Sequence, residues 1–293
     1  MKTSLLCLAL LLATVSAVAW SQESPETRSD VHSPPFVGLS SPVPQGYSLD
    51  LATSYPTFTE LNSPVFLHVG LGLSSALQLT FTNEPVVANM IGRAKPLNAW
   101  GAKFQILPVR GEFPSVLLWI RGSIGWASEF LGPNDIQGNL PPEATNGLSL
   151  VQYEYHTSSA GVAVRPTLGK VLNLDVSIGL LELRWGNLWM MTDRSYHASG
   201  YDRALMFDMS AAASIRVLSS LAVQGEVGTF PYLNPNAIVP GLEPLQAYSG
   251  AVGIRYFLPI NLQADAYLRW QSSFNGVSRK EFRVGLSSLV SLG

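Results

Sequence analysis

The sequence predicts an all-β chain that closes into a transmembrane, antiparallel, up-and-down β-barrel of about twelve strands. Three observations carry this: a low charge content, apolar residues that recur with a period of two, and connections that alternate between short and long. Of the 293 residues, 47% are apolar and only 13% are charged. That charge content is about half of what an ordinary soluble domain carries. Such a chain has too little charge to cover its own surface, and lipid is the natural place for the remaining apolar area. The net charge of −2 gives no basic field for a nucleic-acid partner.

The first residues set the expected compartment. Lys2 supplies a positive start, Leu5 to Val18 is a nearly unbroken apolar run, and Ala17-Val18-Ala19 offers a small-residue cleavage site. Residues 1–21 therefore read as a cleaved export signal. The only cysteine, Cys7, lies within it, so the exported chain would have neither disulfides nor thiolate metal sites. Beyond the signal no run of about 18 apolar residues remains for a membrane helix. The best candidate, Val116 to Ile120, is stopped by Arg121. A chain that lives in lipid without such helices must close its backbone hydrogen bonds as a barrel.

Residues 22–45 are rich in Ser, Pro and Glu without a period, and read as a polar flexible lead-in. Residues 46–293 read as the barrel. Leu172, Leu174, Val176, Ile178 and Leu180 alternate with Asn173, Asp175, Ser177 and Gly179, which puts one set on each face of a strand. The same alternation places strands at 46–55, 65–73, 75–83, 97–107, 114–127, 155–166, 170–184, 203–217, 220–230, 246–258, 261–273 and 280–292. Short turns are expected near Ser74, Val109 to Phe113, Thr167 to Gly169, Ser219 and Pro259-Ile260. Longer loops are expected at 56–64, 84–96, 128–154, 185–202 and 231–245, with a shorter one at 274–279. Tight turns on one side and long loops on the other are a barrel habit, and termini that share the tight-turn side require an even strand number.

The expected lipid-facing sets include Val65, Leu67, Val69 and Leu71; Leu77, Leu79 and Phe81; Val116, Leu118, Ile120, Ile124 and Trp126; Leu205, Phe207, Met209 and Ile215; and Phe282, Val284, Leu286, Val290 and Leu292. Tyr47, Trp126, Tyr248, Tyr256 and Trp270 are the candidates for interfacial aromatic girdles.

The signal segment, the alternating runs and the segment Val69-Gly70-Leu71-Gly72-Leu73-Ser74-Ser75-Ala76-Leu77-Gln78-Leu79 together resemble bacterial outer-membrane β-barrel proteins, of the small transport type, over nearly the whole chain. The resemblance implies the outer membrane of a Gram-negative-type bacterium, contact with its lipid, and insertion by the barrel-assembly machinery. One departure is the end of the chain, Leu292-Gly293, where many such barrels carry the terminal aromatic that this machinery reads.

Parity sends Asp50, Lys103, Arg121, Arg165, Asp175, Asp208, Arg216, Glu226, Arg255, Asp265, Arg269, Glu281 and Arg283 into the lumen, six acids and seven bases. On the lipid face a mid-membrane Arg or Lys would cost roughly 2–4 kcal/mol. Mixed signs in a narrow lumen should pair. They read either as a constriction that screens small solutes or as an ion-pair plug that holds a structural barrel together.

His156-Thr157-Ser158-Ser159-Ala160-Gly161 offers a second site. His156 and Ser158 share the lipid-side face, where an imidazole could activate a hydroxyl toward a lipid ester. The element resembles the His-x-Ser-Asn element of outer-membrane phospholipase A and of lipid A 3-O-deacylases, which implies His156 as base and Ser158 as nucleophile. The Asn of those families is Ser159 here, and no acid or amide is evident to orient the imidazole. Polar residues at the outer rim are the plainer reading.

The four histidines, at 32, 68, 156 and 197, have no metal spacing, and no glycine pattern calls for a nucleotide cofactor. The expected function is a narrow channel for small solutes or a structural barrel. The alternatives are a lipid-modifying ester hydrolase and a surface barrel that binds a partner through loops 128–154 and 185–202.

Overall fold

The computed structural model describes residues 47–58, 65–83, 99–107, 114–131, 149–168, 172–191, 195–231, 233, 247–258, 262–272 and 278–292. The expected signal segment, the polar lead-in and most of the loop tips lie outside the described residues.

The described chain is strand throughout: β1 (Ser48–Phe58), β2 (Phe66–Gly72), β3 (Leu77–Thr82), β4 (Ala99–Leu107), β5 (Ser115–Leu131), β6 (Ser149–Arg165), β7 (Thr167–Leu168), β8 (Leu172–Met191), β9 (Ser195–Leu218), β10 (Leu221–Phe230), β11 (Ala247–Phe257), β12 (Leu262–Ser272) and β13 (Ser278–Ser291). β7 is a two-residue continuation of β6 past Pro166, which has no N–H to give the ladder. Every neighbour pair is antiparallel. β1 pairs with β13, and β6 pairs with β8, so the sheet closes into a barrel of twelve strands. Each expected strand has its counterpart.

Two expected loops are shorter than the sequence pattern suggests. β5 and β6 stay paired up to Leu131 and Ser149, and β8 and β9 up to Met191 and Ser195. Residues 128–131 with 149–154, and 185–191 with 195–202, are therefore part of paired ribbons that extend the barrel strands. The sequence signal fails there for a physical reason. The register shifts between Gly186 and Leu188, which breaks the alternation of faces that the sequence pattern relies on.

The two faces separate as the alternation demands. On β9, Leu205, Met209 and Ile215 are exposed on the outer wall, while Asp208, Ser210 and Ala212 are buried on the inner one. Leu71, Leu79, Phe81, Leu118, Ile120, Ile124 and Val284 likewise lie on the outside. Val290 is an exception. It keeps the outward register opposite Leu49, yet it is only 3% exposed. Tyr47, Tyr248 and Tyr256 are exposed. Trp270 lies across Gly250 of the next strand, and Trp100 across Gly122, aromatic rings covering outward glycines. The side chain of Trp126 lies outside the described residues.

The register predicts accessibility. In single-cysteine variants in liposomes, cysteine at 205, 209 or 215 should react with a lipid-soluble maleimide, and cysteine at 210 or 212 should not. Equal labelling of both sets would refute the inside–outside assignment.

Candidate functional site

The inner wall is built from small and polar residues, and its geometry begins with a row of glycines. Antiparallel pairing places Trp119 of β5 opposite Gly161 of β6, Gly161 opposite Gly179 of β8, and Gly179 opposite Asp208 of β9. With no Cβ at the two middle positions, the indole of Trp119 lies flat across both strands. A Cβ on Gly161 would meet its ring at 2.5 Å, and one on Gly179 at 2.7 Å. The indole reaches two strands over, where Nε1 donates to Ser177 Oγ at 2.8 Å.

Arg121 stands one inward position above Trp119. Its guanidinium carbon is 4.5 Å from the indole centroid, a cation–π contact. Its Nε donates to Ser159 Oγ at 3.1 Å, and its Nη2 donates to Asp208 Oδ2. This bridge spans the two intervening strands, and Asp208 is only 1% exposed.

The other expected luminal charges also face inward. Arg165 and Asp175 form a two-point pair, at 2.7 Å and 2.6 Å. Arg255 and Asp265 do the same between β11 and β12, at 2.6 Å and 2.8 Å. Arg283, with no exposed surface, donates to Glu281 at 2.7 Å and to Ser54 Oγ at 3.1 Å. Ser54 also bonds the hydroxyl of Tyr267 at 2.8 Å. Arg269 stands opposite Glu281 in the register and donates to Gln271 at 3.3 Å. Glu226 accepts from Gln224 at 3.4 Å. Arg216 sits over the Phe257 ring, 4.8 Å from its centroid. Paired charges of this kind replace the water each ion has lost.

On the wall of β1 to β4 several buried polar atoms have no hydrogen-bond partner among the described residues, as do Gln224 Oε1, Arg269 Nε and Gln271 Nε2 on β10 and β12. Asp50 is 3.7 Å from His68 Nε2, an ion pair only when the imidazole is protonated. Lys103 is buried between Gln78 and Trp119 in the register. Gln78 Nε2 and Oε1, Asp50 Oδ1 and Ser48 Oγ are buried without a hydrogen-bond partner among the described residues. Gln78 and Asp50 flank Gly70, where an added Cβ would meet Gln78 Nε2 at 2.7 Å and Asp50 Cβ at 3.1 Å.

Sequence reasoning names the charges but misses their supports: Trp119, Gly161, Gly179, Ser177, Ser54 and Tyr267. The available signal was two inward glycines on successive strands, with an inward tryptophan ahead of them. It also misses an apolar inner patch of Leu181, Leu183, Met206 and Phe230, all buried.

His156 and Ser158 lie on the outer face of β6, as parity requires, with Ser159 on the inner face. The sequence offers no third group to orient the imidazole, but the register supplies a carboxylate: Glu182 stands opposite Ser158, and Arg184 opposite His156. Glu182 is engaged elsewhere, accepting from Arg184 Nη2 at 2.9 Å.

No protein-family model matches the sequence, and no curated protein does so. Among solved structures the chain is similar to the translocator domain of the autotransporter NalP from Neisseria meningitidis, with a TM-score of 0.52 at 11% identity over 84% of this chain and 88% of that one. It is also similar to the CymD monoaromatic hydrocarbon channel, with a TM-score of 0.48 at 10% identity over 85% and 89%. The NanC porin gives 0.45 at 9% identity over 83% and 99%. The fold is that of an outer-membrane β-barrel. At these identities the likeness is one of architecture, and the lumen must be read from its own residues.

The glycine row makes a stability prediction. Gly179→Val should cost about 1–3 kcal/mol, because it overpacks the indole and meets the Ala160 carbonyl. Trp119→Phe should cost about 1 kcal/mol through the bond lost to Ser177. Urea midpoints of the refolded barrel check both, and midpoints matching wild type would show that the indole does not pack as described.

Proposed function

We propose that this outer-membrane barrel passes small polar solutes through a lumen narrowed by its own ion pairs, with the Arg121–Asp208 bridge as the narrowest element. In this reading the leader is removed on export, both ends of the barrel sequence face the periplasm, and the ribbons of β5–β6 and β8–β9 project outward.

The observation that carries the proposal is the polar inner wall of β1 to β3. Gln78, Asp50 and Ser48 present buried polar atoms to the lumen that no described residue satisfies. Each such atom would cost about 1–3 kcal/mol in a dry plug. A hydrated lumen can supply each of them a water through small side-chain movements, which a dry plug cannot. The nearly balanced luminal charge favours size and hydrogen bonding over ion sign as the filter.

Single-channel recording tests this. Wild-type barrel in planar bilayers should give small, weakly ion-selective steps. Arg121→Ala and Asp208→Asn should give larger ones, with a lower melting temperature, because each leaves a buried partner unpaired. Silence from wild type and both variants would leave a structural barrel as the reading.

Ester hydrolysis is not expected. Glu182 is bonded to Arg184, so this carboxylate is not placed to fix the tautomer of His156. Purified protein in mixed micelles should release no fatty acid from phospholipid or lipid A. Turnover that is lost in both His156→Ala and Ser158→Ala would reverse this.

A further inference from the structure

The outer wall of β6, β8 and β9 changes character within a single step of the register. Reading upward, β8 presents Leu172, Leu174, Val176, Ile178 and Leu180 to lipid, then Glu182 and Arg184. β9 presents Ile215, Met209, Phe207 and Leu205, then Arg203. β6 presents Val164, Val162 and Ala160, then Ser158 and His156. The pairing aligns these endings: Ala160, Leu180 and Phe207 share one row, Ser158, Glu182 and Leu205 the row two residues higher, and His156, Arg184 and Arg203 the row four residues higher.

The height of that edge can be estimated. Ten residues from Leu172 to Glu182 rise about 33 Å along the strand. At a strand tilt of about 40° this is roughly 25 Å along the barrel axis, the height of the apolar band of such barrels. Arg184 and Arg203 therefore stand just above the hydrocarbon, on the loop side, at the depth of lipid headgroups.

Arg184 and Arg203 are direct cross-strand partners. Their Cβ atoms are about 5 Å apart at such a position, where like charges destabilise the sheet. Among the described side chains, one carboxylate, Glu182, answers the two guanidinium groups. The side chain of Arg184 is still 55% exposed with that bond made, and Arg203 is exposed as well. Elsewhere the outer wall carries aromatic residues near its upper edge, with Trp100 on β4, Tyr248 on β11 and Trp270 on β12. Here it carries a forked pair of cations.

We propose that Arg184 and Arg203 form a clamp for the phosphate of a phosphorylated lipid headgroup in the outer leaflet, seated on the wall of β6, β8 and β9. Guanidinium groups bind phosphate oxygens with two-point, charge-assisted hydrogen bonds. An anion between the two would turn their repulsion into a shared attraction, while the lipid's acyl chains cover the leucine and isoleucine surface below. Ser158, one step nearer the hydrocarbon, supplies a hydroxyl at the same edge.

The test uses the refolded full-length barrel in zwitterionic detergent with purified bisphosphorylated lipid A as the probe. Native mass spectrometry counts retained lipid, and thermal unfolding reports stabilisation. Wild type should retain lipid A and gain melting temperature on binding. Arg184→Gln/Arg203→Gln should lose roughly tenfold or more in apparent affinity, the loss expected of one or two charge-assisted hydrogen bonds. Lys280→Gln, which removes an exposed charge from the far wall, should bind as wild type does. Fully dephosphorylated lipid A should bind no better to wild type than to the double variant, and inorganic phosphate alone should give no stabilisation. Heat-modifiable migration on gels confirms that every variant is folded. Equal retention of lipid A by wild type and the double variant, or equal retention of its dephosphorylated form by wild type, would overturn the clamp. So would stabilisation by inorganic phosphate alone, which would mark a free-anion site. None of these outcomes depends on whether the barrel conducts.

Discussion

The structure depends on one constraint: in hydrocarbon, no backbone N–H or C=O can be left without a partner. A sheet meets it only by pairing its first strand with its last. That is the register from Ser48 opposite Ser291 to Pro56 opposite Arg283. Once the sheet is closed, each residue has one of two destinations, and the alternation of the strand assigns it without further choice. Charged residues turn to the inner wall because an outward cation at mid-membrane would cost about 2–4 kcal/mol. Ion pairing is therefore a consequence of closure.

Closure also makes space scarce inside, and the glycines follow from that. Arg121 bonds Asp208 across two strands because Gly161 and Gly179 carry no side chain, and because Trp119 fills the shallow trough they leave. The indole gives the guanidinium an aromatic surface on one side and ties β5 to β8 through Ser177 on the other. Removing the ring would leave the cation unsupported, and adding a side chain beneath it would lift it. The bridge and the glycine row are thus one packing unit, although only its charged members look functional in the sequence.

This division explains how much of the molecule is legible without coordinates. Strand positions, inside–outside parity and strand number are legible because a membrane wall needs an uninterrupted period of two. The ribbon beyond Gly186 is not, because its pairing shifts register at a bulge, which breaks the alternation of faces. Which charges face inward is legible, but the partner of each is not. Asp208 could be assigned to the lumen from β9 alone, whereas its contact with Arg121 depends on the register of four strands. The same holds outside. Glu182, Arg184 and Arg203 have outward parity, but only the pairing of β8 with β6 and β9 gathers them beside His156 and Ser158.

Charges on the two walls answer to different physics, which separates the roles of the two sites. Inside, Arg255 and Arg283 are almost wholly buried and each bonds a carboxylate at 2.6 to 2.7 Å, so they act as fixed structural ions. Outside, Arg184 has one carboxylate and Arg203 faces Arg184, so among the described side chains the cluster carries net positive charge where water, headgroup and protein meet. A cation that completes its hydrogen bonds within the protein has little left to offer a ligand. One held at the edge of the apolar wall, opposite a second cation, gains most from an anion supplied by the membrane. The bond of Glu182 to Arg184 acts in the same direction: it fixes the position of one guanidinium at the edge of the apolar wall, ready for an anion from the membrane.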